Sequence, residues 1–376
     1  MNFTAYNILM FSSIGFMLLR GVGELLKSVK SAYGIWLLLF AALIYASAFW
    51  ALSQSLAMNL ANTFFKAVVM LLFVYSETNS FDKLILRLKQ FMAATLFMMA
   101  KILIAFFSGQ NRLNSFVKGV GLYFNTVAQI LALAIVLALW FIFNRRQHKG
   151  MAAWVCCLYV VAAYTMIIWS GSRKSLLIPL VGLFIVVLIG RYDIRARFRW
   201  IIFALFVMVV IWHFVMSNVE LSGRMDNLFS TLLSDSKSDV SVLERQYYRD
   251  TAWKLFLQKP FFGWGANGFM AYLTQIRYAH VAYCHNNWLE IMSSFGIVGA
   301  VIYYWFYAYL IVKLYQNREL EWNMGSFFLT IILIFVIFEY GIVTYYFTIY
   351  HVLFCFAAIF LKCASKQPAG RLRSGQ

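Results

Sequence analysis

Charge is scarce in this chain, and negative charge scarcest: Asp and Glu number 14, and all charged residues make up 12% of the 376. An ordinary soluble domain is about 25% charged and roughly 45–50% apolar, whereas 63% of this sequence is apolar. That balance excludes intrinsic disorder and argues against a water-soluble globule. The strict alternation of an outer-membrane strand is also missing, since runs such as Ile201–Ile211 are apolar on every face. At about 20 residues per span, the composition predicts an all-α, polytopic helical membrane protein with about 11–12 transmembrane helices. Cysteine offers little: all five but Cys284 lie in or beside apolar runs without metal-ligand spacing, so neither a disulfide framework nor a metal site is expected. No basic segment precedes the apolar stretch Met1–Leu19, so no cleavable signal peptide is expected there.

Positive charge, by contrast, is in excess, 32 Lys and Arg giving a net +18. In a soluble protein this would suit nucleic acid. In a membrane protein it is the ordinary accumulation of Lys and Arg in cytoplasmic loops, and no nucleic-acid partner is expected. Apolar runs predict eleven spans, near 3–19, 34–52, 59–75, 91–107, 119–143, 151–169, 175–190, 200–217, 288–312, 324–342 and 346–361. The expected organisation is membrane helices over 1–217, an extracytoplasmic loop over 218–287, further membrane helices over 288–361 and a basic cytoplasmic tail over 362–376. With the long loop outside, Lys and Arg crowd the inner segments, while the short outer loops hold only Arg112, Lys118, Arg173 and Lys174. This orientation follows the positive-inside rule and puts the C-terminus in the cytoplasm.

The informative cations are those on the outer side. Arg173 and Lys174 sit in the hinge Ser170-Gly171-Ser172-Arg173-Lys174-Ser175 between two apolar runs. Small residues there let the backbone approach a ligand closely, Ser175 can cap the helix that follows, and a helix N-terminus with an arginine fork suits an anion. Lipid headgroups at the interface would satisfy the same two side chains. Lys66, Lys101 and Glu339 fall inside expected spans, where an ionisable group faces a cavity or a partner, or, for a lysine, snorkels to the headgroups.

Within the long loop, Ser238–Lys259 reads as an amphipathic helix. Asp239 or Ser241 can cap it, Ser241 with Glu244 fits a capping box, and Leu243, Tyr247, Thr251, Lys254 and Leu255 fall at helical spacing on one face. Arg245 and Arg249, four apart, share a face; they form either a phosphate clamp or a solvated basic stripe balanced by Glu244 and Asp250. Pro260-Phe261-Phe262-Gly263-Trp264-Gly265-Ala266-Asn267-Gly268 then describes a tight loop, built either for close approach to a ligand or simply for its turn. The loop ends at His285-Asn286, where an imidazole with an ordinary pKa of about 6.5 can act as a general base or serve as a packing residue. Glu290, about one turn later, can orient it, and His280 competes for the same role.

Together these motifs resemble the O-antigen ligase and O-antigen polymerase superfamily of bacterial inner-membrane glycosyltransferases. The resemblance rests on the Ser-Gly-Ser-Arg hinge ending at Arg173, on Arg249 ahead of Trp253 and Pro260–Gly265, and on His285-Asn286 followed after nine residues by Gly296-Ile297-Val298-Gly299. It covers roughly residues 150–310. It implies a GT-C-like, multi-pass enzyme of the inner membrane with its active site facing the periplasm, using an undecaprenyl-diphosphate-linked oligosaccharide as donor and needing neither nucleotide sugar, metal nor other cofactor. The implied acceptor is a lipid-linked glycan for a polymerase, or lipid A–core or protein for a ligase. A chain-length regulator, a flippase and membrane lipid are the other implied partners. Arg173 and Arg249 would bind the diphosphate and stabilise its leaving charge, and His285 would deprotonate the acceptor hydroxyl in an inverting displacement. Arg245 and Lys174 would add to the clamp, and Asn286 and Glu290 would stand among the substrate-binding residues. Gly263, Gly265 and Gly268 would shape the loop over the glycan, with Trp264 and Tyr272 stacking on sugar faces. Ser-Arg-Lys-Ser-Leu-Leu is more similar to polymerases than to ligases. A transporter for an anionic lipid-linked glycan is the alternative from another class; no internal repeat of the kind transporters often show is evident.

Overall fold

A computed structural model describes residues 22–144, 153–190, 240–279 and 281–366, with a few helical positions between 10 and 15 and between 194 and 209. Among these residues all regular structure is helical: α1 (Val22–Val29), α2 (Ala32–Ser47), α3 (Gln54–Glu77), α4 (Phe81–Phe107), α5 (Arg112–Val120), α6 (Phe124–Phe143), α7 (Ala153–Ser170), α8 (Arg173–Ile189), α9 (Val240–Gln258), α10 (Gly268–Gln275), α11 (Asn287–Gln316), α12 (Leu320–Phe338) and α13 (Thr348–Ala364). Six of them, α3, α4, α6, α7, α11 and α12, are long and apolar enough to cross a membrane, and α2 and α13 are shorter apolar helices. The chain is a polytopic helical membrane protein. The spans expected at 3–19 and 200–217, and His280, lie outside the described residues.

Local chemistry sets the helix ends. Ser31, Ser53, Ser80 and Asn111 each accept a hydrogen bond from a backbone N–H of the first turn they precede, at 3.0, 3.4, 3.3 and 2.9 Å, which satisfies donors a helix start leaves unpaired. These caps explain why α3 and α4 begin well before the runs expected at 59–75 and 91–107: their first turns are polar on one side, and apolar runs alone do not detect them. Gly121, at φ 71°, ends α5 in the left-handed conformation, so the span expected over 119–143 starts instead at Phe124. The cap of α8 is likewise shifted: Ser172 holds the N-cap position, and Ser175 lies one turn inside with its hydroxyl 2.9 Å from that of Ser172.

α6 is apolar on every face and buried along most of its length, from Thr126 to Trp140, as expected of a helix surrounded by others. It packs against α7, α8 and α4. An aromatic core joins α2, α11 and α13: Trp36 stacks on Phe306 with centroids 4.5 Å apart, beside Tyr303, His351 and Phe354. A second, smaller core lies in the segment between α8 and α11, where Tyr248, Ala252 and Leu255 of α9 meet Phe269 and Leu273 of α10 and Cys284. The amphipathic helix expected over Ser238–Lys259 is thus present as α9, but its buried face is Tyr248, Thr251, Ala252, Leu255 and Phe256, while Tyr247 and Lys254 are exposed. Thr251 and Leu255 are buried as expected, and Tyr248, Ala252 and Phe256 complete the face because α9 packs on both α10 and the segment at Cys284. Ser241 lies inside α9, Glu244 accepts from the Tyr248 hydroxyl at 2.9 Å, and Asp239 lies outside the described residues.

Candidate functional site

The site is built on a break in α11. Gly296 stands at φ 65°, ψ −162°, a conformation open essentially to glycine alone. The break leaves the carbonyls of Ser293 and Ser294 and the N–H groups of Ile297 and Val298 without their helical partners. The Pro260–Gly265 loop supplies all four: Trp264 N donates to Ser293 O (2.9 Å), Gly265 N to Ser294 O (2.8 Å), Ile297 N to Pro260 O (2.8 Å) and Val298 N to Phe261 O (3.3 Å). The fit leaves no room for side chains. A Cβ on Gly296 would lie 2.3 Å from the Phe261 carbonyl, and one on Gly263 would lie 2.4 Å from the Ser294 carbonyl carbon. The same loop clasps the α2–α3 corner: a Cβ on Gly265 would lie 2.5 Å from Ala51, Trp264 O accepts from Leu52 N (3.2 Å), and Ala266 N donates to the Ser47 hydroxyl (3.0 Å). The close approach made by Gly263 and Gly265 is therefore to protein backbone. Gly268 starts α10 against Trp264, and the Trp264 indole donates to Leu255 O at 2.8 Å with Lys259 Nζ over its ring.

This clasp fixes the start of α11, and the segment leading into it carries the imidazole. Asn286 is the N-cap of α11, accepting from Leu289 N at 3.0 Å. Just before it His285 takes the left-handed conformation, φ 56°, a cost that a loop anchored on both sides can carry. The half-buried ring lies parallel to Tyr248 of α9, centroids 6.1 Å apart, and against Tyr283 at 4.4 Å. Burial, with the positive charges of Arg245 and Lys174 facing it, pushes the His285 pKa down to about 3. The imidazole is thus neutral at physiological pH and has a lone pair to offer.

Three cations from two separate elements meet at this segment. Arg245 and Lys174 act on His285, and the charge of Arg249 reaches the adjacent Cys284, whose buried thiol is held well above its usual range. Lys174 crosses from the first turn of α8 to donate to the carbonyl of Gly341, and the Arg249 guanidinium lies over Tyr340, 5.4 Å from the ring centroid. Arg173, the first residue of α8, is half-buried beside Lys174. Like charges converging beside a half-buried imidazole create a field that favours an anion.

Glu290 is fully buried, and its carboxylate is taken by Cys284 N (2.7 Å) and the Tyr346 hydroxyl (2.7 Å). It holds the backbone that carries His285 and ties it to the 339–347 connection. Asn287 adds to this hold: its N–H donates to Glu339 O (2.9 Å), its side-chain oxygen accepts from Thr344 N (3.0 Å) and Tyr345 N (3.3 Å), and its amide donates to the Tyr304 hydroxyl (3.0 Å). Glu339, at the C-terminal end of α12, is also fully buried and accepts from the hydroxyls of Tyr304, Tyr307 and Thr344. The two residues that follow it, Tyr340 and Gly341, carry the contacts to Arg249 and Lys174. Tyr340, Gly341 and Tyr346 escaped the sequence reading; the only available signal was the run of aromatic and small residues after Glu339. Lys101 is exposed, its ammonium 5.9 Å from the Phe97 centroid, whereas Lys66 lines a cavity between α3, α4, α6 and the start of α13.

No curated protein sequence matches the chain. Residues 158–304, however, match the family model described as O-antigen ligase. The matched segment begins in α7 and ends in α11, so it contains the hinge with Arg173 and Lys174, both arginines of α9, the clasping loop, His285 and the Gly296 break. Over that segment the chain is similar to the O-antigen ligase family.

Proposed function

We propose that this protein is a surface-polysaccharide polymerase of the bacterial inner membrane, joining undecaprenyl-diphosphate-linked repeat units at the periplasmic face. The observation that carries the reading is the meeting of Lys174, Arg245 and Arg249 around a neutral, half-buried His285. In this reading the cations hold the donor's diphosphate and stabilise the charge that grows on it as the anomeric C–O bond breaks. Arg173 and Arg249 make the principal contacts, Arg245 and Lys174 the secondary ones. His285 accepts the proton of the acceptor hydroxyl as that oxygen attacks the anomeric carbon from the opposite face, which inverts the configuration. The bound anion also offsets the cations that depress the imidazole's basicity, so donor binding makes His285 a better base. Asn286 and Glu290 keep the imidazole-bearing segment in place. The chemistry asks nothing of a metal, because side-chain cations supply the neutralisation.

A ligase that transfers the glycan to lipid A–core or protein uses the same donor and clamp, and the description of the matched family favours it as the second reading. The two are separated by purifying wild type and His285→Ala in detergent and supplying lipid-diphosphate repeat units as the only glycan. A product ladder from wild type that His285→Ala abolishes supports the polymerase. Product only after lipid A–core is added supports the ligase, and no product in either case overturns both.

A further inference from the structure

A second polar feature lies apart from the cation cluster, on α3. Asn59, Asn62, Thr63 and Lys66 fall at positions i, i+3, i+4 and i+7, one face of a helix that is otherwise apolar enough to cross a membrane. They line a cavity of about 1120 Å³ whose opposite walls include Met98, Leu122, Ile130 and Ile349. That is beyond the roughly 300–1,000 Å³ of a usual small-molecule site. Phe65, on the same wall, is 43% exposed, so the space is a groove on the side of the bundle. Tyr45 donates its hydroxyl to the Asn62 side-chain oxygen at 2.9 Å, which leaves the amide N–H groups of Asn62 to face a ligand as donors.

Lys66 is twelve residues into α3, about 18 Å along the axis at 1.5 Å per residue. Helical side chains lean toward the N-terminus, and that end of α3 is the one the clasping loop touches, through Leu52 and Leu56. A lysine at this position therefore leans toward the end of the bundle that holds His285. Tyr346 links the two places directly: it lines the groove and donates to Glu290, which holds the His285 segment.

A cation, amide donors and long apolar walls in one groove match an amphiphile with an anionic head. We propose that this groove is a second lipid site, binding a lipid-borne phosphate at Lys66 with its hydrocarbon chain along Met98, Leu122, Ile130 and Ile349. For a glycan-joining enzyme it is where the acceptor's lipid carrier lies beside the donor; that assignment rests on the proposed function, whereas the phosphate site itself does not.

The test is native mass spectrometry of the full-length protein in detergent, titrated with undecaprenyl phosphate. Wild type should bind one more lipid than Lys66→Gln at the same concentration, with an affinity difference of about tenfold, the size expected for one charge-assisted contact. Lys66→Arg should restore it. A neutral side chain is easier to place in a membrane helix than lysine, and an unchanged melting temperature of Lys66→Gln checks that the fold is retained. Loss of the extra lipid on competition with phosphatidylglycerol assigns the site to bulk anionic lipid, and its persistence assigns it to the polyprenyl carrier; both support a lipid-borne phosphate. Equal lipid counts for wild type and Lys66→Gln, or displacement by inorganic phosphate alone, overturn it. The polymer assay on the same samples keeps the two proposals apart, since absence of product from wild type sinks the functional reading while leaving the lipid count to decide this one.

Discussion

Two stretches of chain at the same end of the bundle, twenty residues apart, are held in opposite ways. Pro260–Gly265 is fixed to α11 by backbone hydrogen bonds that fill a helix break. Tyr283–Glu290 is fixed through side chains, a cap, a buried carboxylate and an asparagine, and faces the cations. The first tolerates almost no change of shape; the second carries the imidazole, and its position depends on the side chains of Asn286, Asn287 and Glu290. The comparison separates residues that fix the backbone of α11 from the residue that presents an imidazole to the cations, although both sets lie in one short motif.

The sharpest way to break the comparison is Gly296→Ala. A Cβ there meets the Phe261 carbonyl at 2.3 Å on a backbone that alanine resists, so a loss of about 3 kcal/mol or more is expected, read as loss of folded protein in thermal denaturation and gel filtration. His285→Ala should do the reverse, keeping the melting temperature while turnover falls about 10²–10⁴-fold, the usual contribution of a general base. Unfolding of this variant would show that the two stretches are not separable. Between these extremes stands Glu290→Gln, which keeps one acceptor for the two donors and should cost about 1–3 kcal/mol of stability, with a moderate fall in kcat because His285 is less firmly placed.

The electrostatics sharpen the distinction further. The folded pKa of His285 lies below the ordinary 6.5, so the neutral form persists as pH falls and is lost only near pH 3. A plot of kcat/KM, which reports the free enzyme, should therefore stay level well below pH 6.5. Arg245→Gln removes one facing charge and should move the acid limb upward. An acid limb at pH 6.5 in wild type, unmoved by the substitution, would contradict this geometry. The smallest effect is expected of Tyr340→Leu, which removes the ring under Arg249 and should weaken donor binding by about two- to fivefold through KM.

The helices, the polar segment between α8 and α11, and the cationic residues were legible because each has a local signature: an apolar run, a helical spacing, a charge on the outer side. Helix starts at Gln54 and Phe81 were not, since a serine cap and a polar first turn look like loop. On α9, Thr251 and Leu255 were legible as buried, but Tyr247 and Tyr248 are equally apolar, and which of them turns inward depends on α10 and Cys284, distant in sequence. The role of Asn287 lay out of reach for the same reason: its partners sit more than fifty residues away on the connection after α12. Lys66 was legible as an anomaly, but the groove it lines is made by residues of α2, α3, α4, α6 and the start of α13, with Met10, and exists only in three dimensions.

The break at Gly296 bears on how such sequences are sorted. In the pattern His285-Asn286, nine residues, Gly296-Ile297-Val298-Gly299, the first half carries the imidazole and the second half specifies where one polypeptide segment completes the hydrogen bonding of another. A glycine used in that way is indifferent to the molecule that receives the sugar. Polymerases and ligases can therefore share the whole pattern and still diverge in acceptor, and the residues that tell them apart must be sought on surfaces the pattern does not include.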